Sequence, residues 1–155
     1  MYSFNETTQE EALIIANEWH YEEPYNFYDL QADIEDYEEF IHPETRKNTY
    51  SVFRDDNELI GYITFNNNCD SIEIGLGMKP NLTGKGLGEC FLNNSIMFTQ
   101  TLFPSMNRIT LRVASFNKRA IKVYKRCGFK EVDKITMDTN GSTYEFTEME
   151  YNINN

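Results

Sequence analysis

Met78-Lys79-Pro80-Asn81-Leu82-Thr83-Gly84-Lys85-Gly86-Leu87-Gly88-Glu89 is the stretch that decides the fold. It carries glycine at three alternate positions, and the residue pattern changes period across it. Before it, Ser71–Met78 places Ile72, Ile74, Leu76 and Met78 at every second position, the signature of a strand. After it, from about Gly86 to Phe103, Leu87, Phe91, Phe98 and Leu102 recur at offsets of 4, 7 and 4, a helical stripe. A glycine loop leading from strand to helix presents backbone N–H groups and the positive end of the helix dipole to one spot. Pyrophosphate suits such a spot. A Walker A loop is excluded because Lys85 is followed by Gly86 where Ser or Thr is required, and a dinucleotide fingerprint because Glu89 stands where its last glycine belongs.

Working towards the N-terminus, Gly75 and Gly77 interrupt the strand and mark a bulge or a close backbone approach. Thr49–Arg54 and Leu59–Phe65 are rich in β-branched and aromatic residues and flank the turn Asp55-Asp56-Asn57, which predicts an antiparallel hairpin. Tyr2–Phe4 reads as a short strand. Thr8-x-x-Glu11 is a capping-box pattern that opens a helix to about Trp19, and an acidic helix is expected from about Asp29 to Ile41, ended by His42-Pro43. Towards the C-terminus, Arg108–Ala114 reads as a strand. Asn117–Cys127 reads as a helix stopped by Gly128 in the C′ position, and Phe129–Met137 with Ser142–Tyr151 as a hairpin around Asp138–Gly141.

The order β α α β β β α β α β β implies at least one right-handed crossover and a mixed sheet with helices on its faces. No repeat or linker divides the 155 residues, so one domain over residues 1–155 is expected, with 22 aromatics to fill its core. The longest apolar runs are about four residues, far short of the roughly 20 a membrane helix needs. The opening Met1-Tyr2-Ser3-Phe4-Asn5-Glu6 lacks a signal-peptide pattern, so a cytoplasmic protein without membrane partners is expected. Cys69, Cys90 and Cys127 match neither a disulfide framework nor a zinc site, and no metal is expected.

Charge is unevenly distributed along the chain. Residues 1–45 hold 13 acids and no Lys or Arg, whereas residues 79–134 hold 11 basic groups against three acids. One region is suited to a cation and the other to an anion. The net charge of −11 disfavours a nucleic-acid partner.

These residues resemble the GNAT superfamily of acetyl-CoA-dependent N-acetyltransferases. Thr83-Gly84-Lys85-Gly86-Leu87-Gly88 is similar to its pyrophosphate loop, and Asn117–Phe129 is similar to its later Asn-x-x-Ala-x-x-x-Tyr-x-x-x-Gly-Phe pattern. Thr83 departs from the usual Gln or Arg, which removes one side-chain contact. The resemblance implies an α/β (α+β) fold: a mixed, mostly antiparallel sheet of about seven strands, flanked by about four helices and splayed at the acetyl-CoA site. It also implies pyrophosphate contacts from Thr83, Gly84, Lys85, Gly86, Leu87, Gly88 and Glu89, and pantetheine contacts from Leu76, Gly77 and Met78. Asn117 would meet the pantetheine arm, Arg119 would reach a phosphate, and Tyr124 would lie beside the CoA sulfur.

Amide formation from a thioester needs a neutral amine, a stabilised oxyanion and a protonated leaving thiol. The resemblance makes Tyr124 the general acid and a backbone N–H near Met78 the oxyanion donor. The nearest candidate base is Glu73, acting directly or through water; by alternation it faces away from Ile72 and Ile74. Trp19, Tyr21, Tyr25, Phe27 and Tyr28 cluster where the fold type places the acceptor wall, and Trp19, Tyr25 and Tyr28 are the candidate substrate residues. Glu22, Glu23 and Asp29 around them favour an ammonium-bearing acceptor. His20 is a minor candidate there, while His42 reads as structural. The expected activity is acetyl transfer to a primary amine of a small molecule such as a free amino acid or a polyamine. A protein or peptide acetyltransferase and a non-catalytic acyl-CoA sensor are the alternatives, and exposed sheet edges are compatible with a homodimer.

Overall fold

The computed structural model describes residues 2–55 and 57–153. Asp56, in the turn expected at Asp55–Asn57, lies outside the described residues. Among the described residues seven strands pair in the order β1-β2-β3-β4-β5-β7-β6: β1 Ser3–Glu6, β2 Asn48–Phe53, β3 Leu59–Asn68, β4 Ser71–Met78, β5 Arg108–Ala114, β6 Lys130–Thr139 and β7 Ser142–Asn152. With them go helices α1 Gln9–Glu18, α2 Ile34–Ile41, α3 Gly88–Leu102 and α4 Lys118–Arg126. The chain divides into two compact units, residues 1–64, 76–82 and 138–142 in the first and residues 65–75, 83–137 and 143–155 in the second.

In the first unit β1 runs antiparallel to β2, from Ser3 opposite Phe53 to Glu6 opposite Tyr50. The capping box forms as the sequence implies: Glu11 N donates to Thr8 Oγ1 at 3.2 Å, and Thr8 N donates back to Glu11 Oε1 at 3.1 Å. The inner face of α1, Ala12, Ile15 and Ala16, packs with Trp19 and Phe40 into a core bordered by Leu30, Tyr37, Leu59 and Tyr62.

The acidic helix is shorter than its sequence suggests. It begins at Ile34, not near Asp29, because Asp33 is the residue whose carboxylate takes the free N–H groups of Glu35 and Asp36, at 3.0 and 3.1 Å. Asp29 is engaged elsewhere, and residues 25–28 and 30–32 form separate 3-10 turns.

In the second unit β4 and β5 are parallel, with Ser71, Ile72 and Glu73 opposite Arg108, Ile109 and Thr110. β4 continues to Met78 beyond that register. β5 and β7 pair antiparallel from Arg108–Asn152 to Ala114–Phe146. Ile72, Ile109, Leu111, Val113 and Met149 are buried from these strands, and Phe91, Leu92, Ile96 and Ile121 from α3 and α4. Along β5 the buried Ile109, Leu111 and Val113 alternate with Thr110 and Arg112, the period-two pattern of a strand with one face turned inward. Among the described residues no helix is long and apolar enough to cross a membrane.

Candidate active site

The glycine loop of the second unit has the shape that its composition suggests. Gly84 and Gly86 sit at φ of +71° and +78°, a backbone region that residues with a Cβ rarely adopt. A Cβ on Gly84 would stand 3.1 Å from Arg119 Nη1, so the guanidinium lies against the turn. A side chain caps the first turn in α1, α2 and α4: Thr8, Asp33 and Asn117 respectively. Among the described residues α3 is the α-helix whose N-cap, Leu87, makes no such bond. The N-cap side chain therefore takes none of its first N–H groups, and the helix dipole adds to their pull on an anion. Thr83, Leu87 and Gly88 are half-buried, while Lys85 and Glu89 are exposed. Arg126 Nη1 lies 3.7 Å from Glu89 Oε2, which balances the one acid of that turn.

Helix α4 presents the second motif. Asn117 is buried, and its Oδ1 accepts from Ala120 N at 3.1 Å. Arg119, two residues after Asn117, is exposed, and Tyr124, two turns after Asn117, is half-buried. The Tyr124 ring packs on Phe129 with centroids 5.9 Å apart, and Phe129 N donates to Tyr124 O at 3.0 Å. The turn at Gly128 thus brings the Phe129 ring against that of Tyr124.

Glu73 lies on the polar face of β4 as alternation requires. Its carboxylate is 3.4 Å from Arg112 Nε and accepts a long bond, also 3.4 Å, from Asn66 Nδ2. Arg112 is shared with Glu148, 3.4 Å away, so Glu73 belongs to a cross-strand ionic cluster with its side chain 23% exposed.

In the first unit the strand end Leu76–Met78 is half-buried. A Cβ on Gly77 would come within 2.1 Å of the Tyr62 ring. The close approach read from this glycine is therefore satisfied by the protein itself. Burial pushes the Tyr62 hydroxyl pKa up to about 12. Trp19 is 5% exposed and packs in the core, its ring 6.2 Å from that of Tyr62. Tyr25 and Tyr28 occupy a 3-10 turn and are half-buried, and the Phe27 and Tyr28 rings meet edge to face at 5.2 Å.

The segment around them is held by polar contacts that local sequence does not reveal. Asp29 accepts from Tyr21 N at 2.9 Å and pairs with His20 Nδ1 at 3.0 Å. The other ring nitrogen of His20 donates to Asn17 O at 2.9 Å, and the bond to Asp29 is the main reason its pKa rises. Tyr21 OH donates to Met78 O at 2.7 Å. Asp33 Oδ2 accepts from Asn140 N at 3.0 Å and Thr139 Oγ1 at 3.3 Å, while Asn140 Nδ2 donates to Phe27 O at 2.9 Å. His42 turns its Nδ1 to Glu38 O at 2.7 Å at the end of α2, a structural position. The contacts of Tyr21 with Met78, of Tyr62 with Gly77 and of Asn140 with Asp33 escape sequence reasoning because the partners lie far along the chain.

The model of the acetyltransferase (GNAT) family matches residues 12–129. Acetyltransferase PseH of Campylobacter jejuni subsp. jejuni is 34% identical over 97 residues, covering 61% of this chain and 58% of that protein. Spermidine N(1)-acetyltransferase of Vibrio cholerae serotype O1 is 29% identical over 120 residues, covering 76% of this chain and 66% of that protein. The matched stretches span less than two thirds of either relative. Spermidine N-acetyltransferase from Vibrio cholerae, solved with CoA and spermine, shares the fold at a TM-score of 0.69 and 23% identity, over 97% of this chain and 95% of that one. A chimera of the Vibrio cholerae enzyme and hSSAT gives 0.70 at 23% identity, over the same shares.

Proposed function

We propose that this chain, which belongs to the acetyltransferase (GNAT) family, transfers the acetyl group of acetyl-CoA to a primary amine of a small molecule by direct attack in a ternary complex. The observation that carries this reading is the uncapped first turn of α3 behind a loop with two glycines at positive φ and Arg119 against it. Those donors fit a pyrophosphate, and residues 83–89 with Arg119 would hold it. Leu76, Gly77 and Met78 would meet the pantetheine arm through backbone groups, and Asn117 through its Nδ2.

These residues supply the groups that acetyl transfer needs. The amine nitrogen attacks the thioester carbonyl, the oxyanion takes a bond from the backbone near Met78, and the C–S bond breaks as Tyr124 gives its proton to the departing sulfur. Glu73 is the assigned base, taking the amine proton through water, with Arg112 holding its carboxylate in place. We assign the acceptor wall to Tyr25, Tyr28 and Trp19, the last of them packed in the core of the same unit.

A polyamine or a free amino acid is the acceptor class we favour. The acids of residues 1–45 suit a polycation, and a relative that acts on spermidine supports the polyamine. We read residues 1–155 as one acetyltransferase domain, working in the cytoplasm as a monomer or a homodimer, with neither nucleic acid nor membrane as partner. The test is thiol release from acetyl-CoA with spermidine, spermine, amino acids and short peptides as acceptors. Turnover with one small amine supports the reading. Turnover with peptides alone moves the acceptor class to proteins, and CoA binding without turnover leaves an acyl-CoA sensor.

A further inference from the structure

The peptide between Met78 and Lys79 is held at both of its polar atoms. Its carbonyl accepts from Tyr21 OH at 2.7 Å, and its N–H donates to Ile60 O at 2.8 Å. One residue earlier the Tyr62 ring lies on Gly77 so closely that no Cβ fits. The end of β4 is thus fixed by a backbone bond on one side and by two tyrosines. Tyr21 is itself anchored, since Asp29 accepts from its backbone N–H at 2.9 Å and pairs through the other carboxylate oxygen with His20. Burial pushes the Tyr21 hydroxyl well above the usual tyrosine range, so it stays a donor at neutral pH.

We infer that Tyr21 is a positioning residue that acts through Met78, holding the end of β4 ready for the pantetheine arm. This rests on the reading of the chain as an acetyl-CoA enzyme and goes further, because it assigns a role to a side chain of the aromatic segment that faces the strand and not the acceptor. A strand end already fixed loses little freedom when an extended amide-bearing arm pairs with it. Without the tyrosine hydroxyl, binding of the arm must order that peptide.

The experiment compares two ligands on the full chain by calorimetry: CoA, and 3′-phospho-ADP, which carries the phosphates without the arm. Tyr21→Phe keeps the ring and removes the donor. The expected result is a dissociation constant for CoA raised about tenfold with that for 3′-phospho-ADP within about twofold. Asp29→Asn, which leaves the tyrosine in place and loosens its anchor, should shift CoA in the same direction by about threefold, and it carries the test should Tyr21→Phe not fold. An equal change for both ligands, or none for either, overturns the proposal. Failure of the wild-type chain to bind either ligand instead removes the acetyl-CoA reading on which the proposal rests.

Discussion

Residues 83–89 and residues 20–33 are both loops that lead to a helix, and they acquire their shapes in opposite ways. The first is built from its own residues: Gly84 and Gly86 supply the positive φ angles and α3 supplies uncapped N–H groups within the same stretch. The second is held from a distance, by Met78 at a separation of 57 positions, Thr139 at 106 and Asn140 at 107. A loop made locally can be recognised wherever its motif occurs. One made by remote contacts can change with any of its partners, which suits the acceptor-lining role proposed for this segment.

The largest expected effect tests what the first loop serves. Tyr124→Phe should lower kcat by roughly 10²- to 10³-fold, the scale of a lost general acid, while CoA affinity measured by calorimetry stays within about twofold. Unchanged turnover would remove Tyr124 from the chemistry and leave it as the ring that packs on Phe129.

On the side of the second loop, Asp33→Ala should be the most damaging substitution. It removes the cap of α2 and the grip on Thr139 and Asn140 at once. Cap loss alone costs about 0.5–2 kcal/mol, and the bonds to the hairpin tip bring the total to about 2–3 kcal/mol. Thermal denaturation should show a drop of about 4–10 °C. Bonds from the Asn140 and Asp36 amides hold the Asp33 carboxyl below its ordinary value of 3.8. A carboxylate with a lowered pKa stabilises the fold above that value and loses its contribution as pH falls through the lowered one. Asp33→Asn should therefore flatten the acid side of the stability profile below about pH 4.

The same contrast explains how far the sequence can be read. Element order, the Thr8 box, the Gly128 stop and the glycine loop each depend on residues within a few positions, and the structure repeats them. The start of the acidic helix does not follow from local sequence, since Asp29 and Asp33 are equally good caps there. What separates them is that Tyr21 and His20 occupy Asp29 while the amides of Glu35 and Asp36 point at Asp33. Gly77 illustrates the other limit. A strand glycine signals that something comes close, but not that the neighbour is Tyr62. The ion pair of Glu73 with Arg112 is equally hidden, because it depends on β4 and β5 lying side by side.

A smaller effect divides the glycine loop itself. Gly84→Ala and Gly86→Ala impose the same backbone strain, about 1–2 kcal/mol each. A methyl at 84 also pushes on Arg119, whereas at 86 nothing lies within 4 Å. CoA affinity should therefore fall about tenfold in the first and about threefold in the second. Equal losses would mean that Arg119 takes no part in holding the phosphates.

The smallest effect belongs to His20, whose two ring nitrogens both face acceptors, Asp29 Oδ2 and Asn17 O. A neutral imidazole has one N–H and can serve only one of them, so the arrangement favours the imidazolium. Its pKa is raised from 6.5, first by the bond to Asp29 and then by that to Asn17. A group of this kind stabilises the fold fully below its unfolded pKa and loses the contribution as pH rises through the folded one. With the ring about half exposed, solvent screens the pair and the stability change is slight. The sharper readout is an NMR titration of the His20 ring, expected above 6.5 in the wild type and lower in Asp29→Asn. An unshifted titration in that variant would mean that Asp29 holds Tyr21 alone, and that the second loop has one internal tie at Asp29 where the distances give it two.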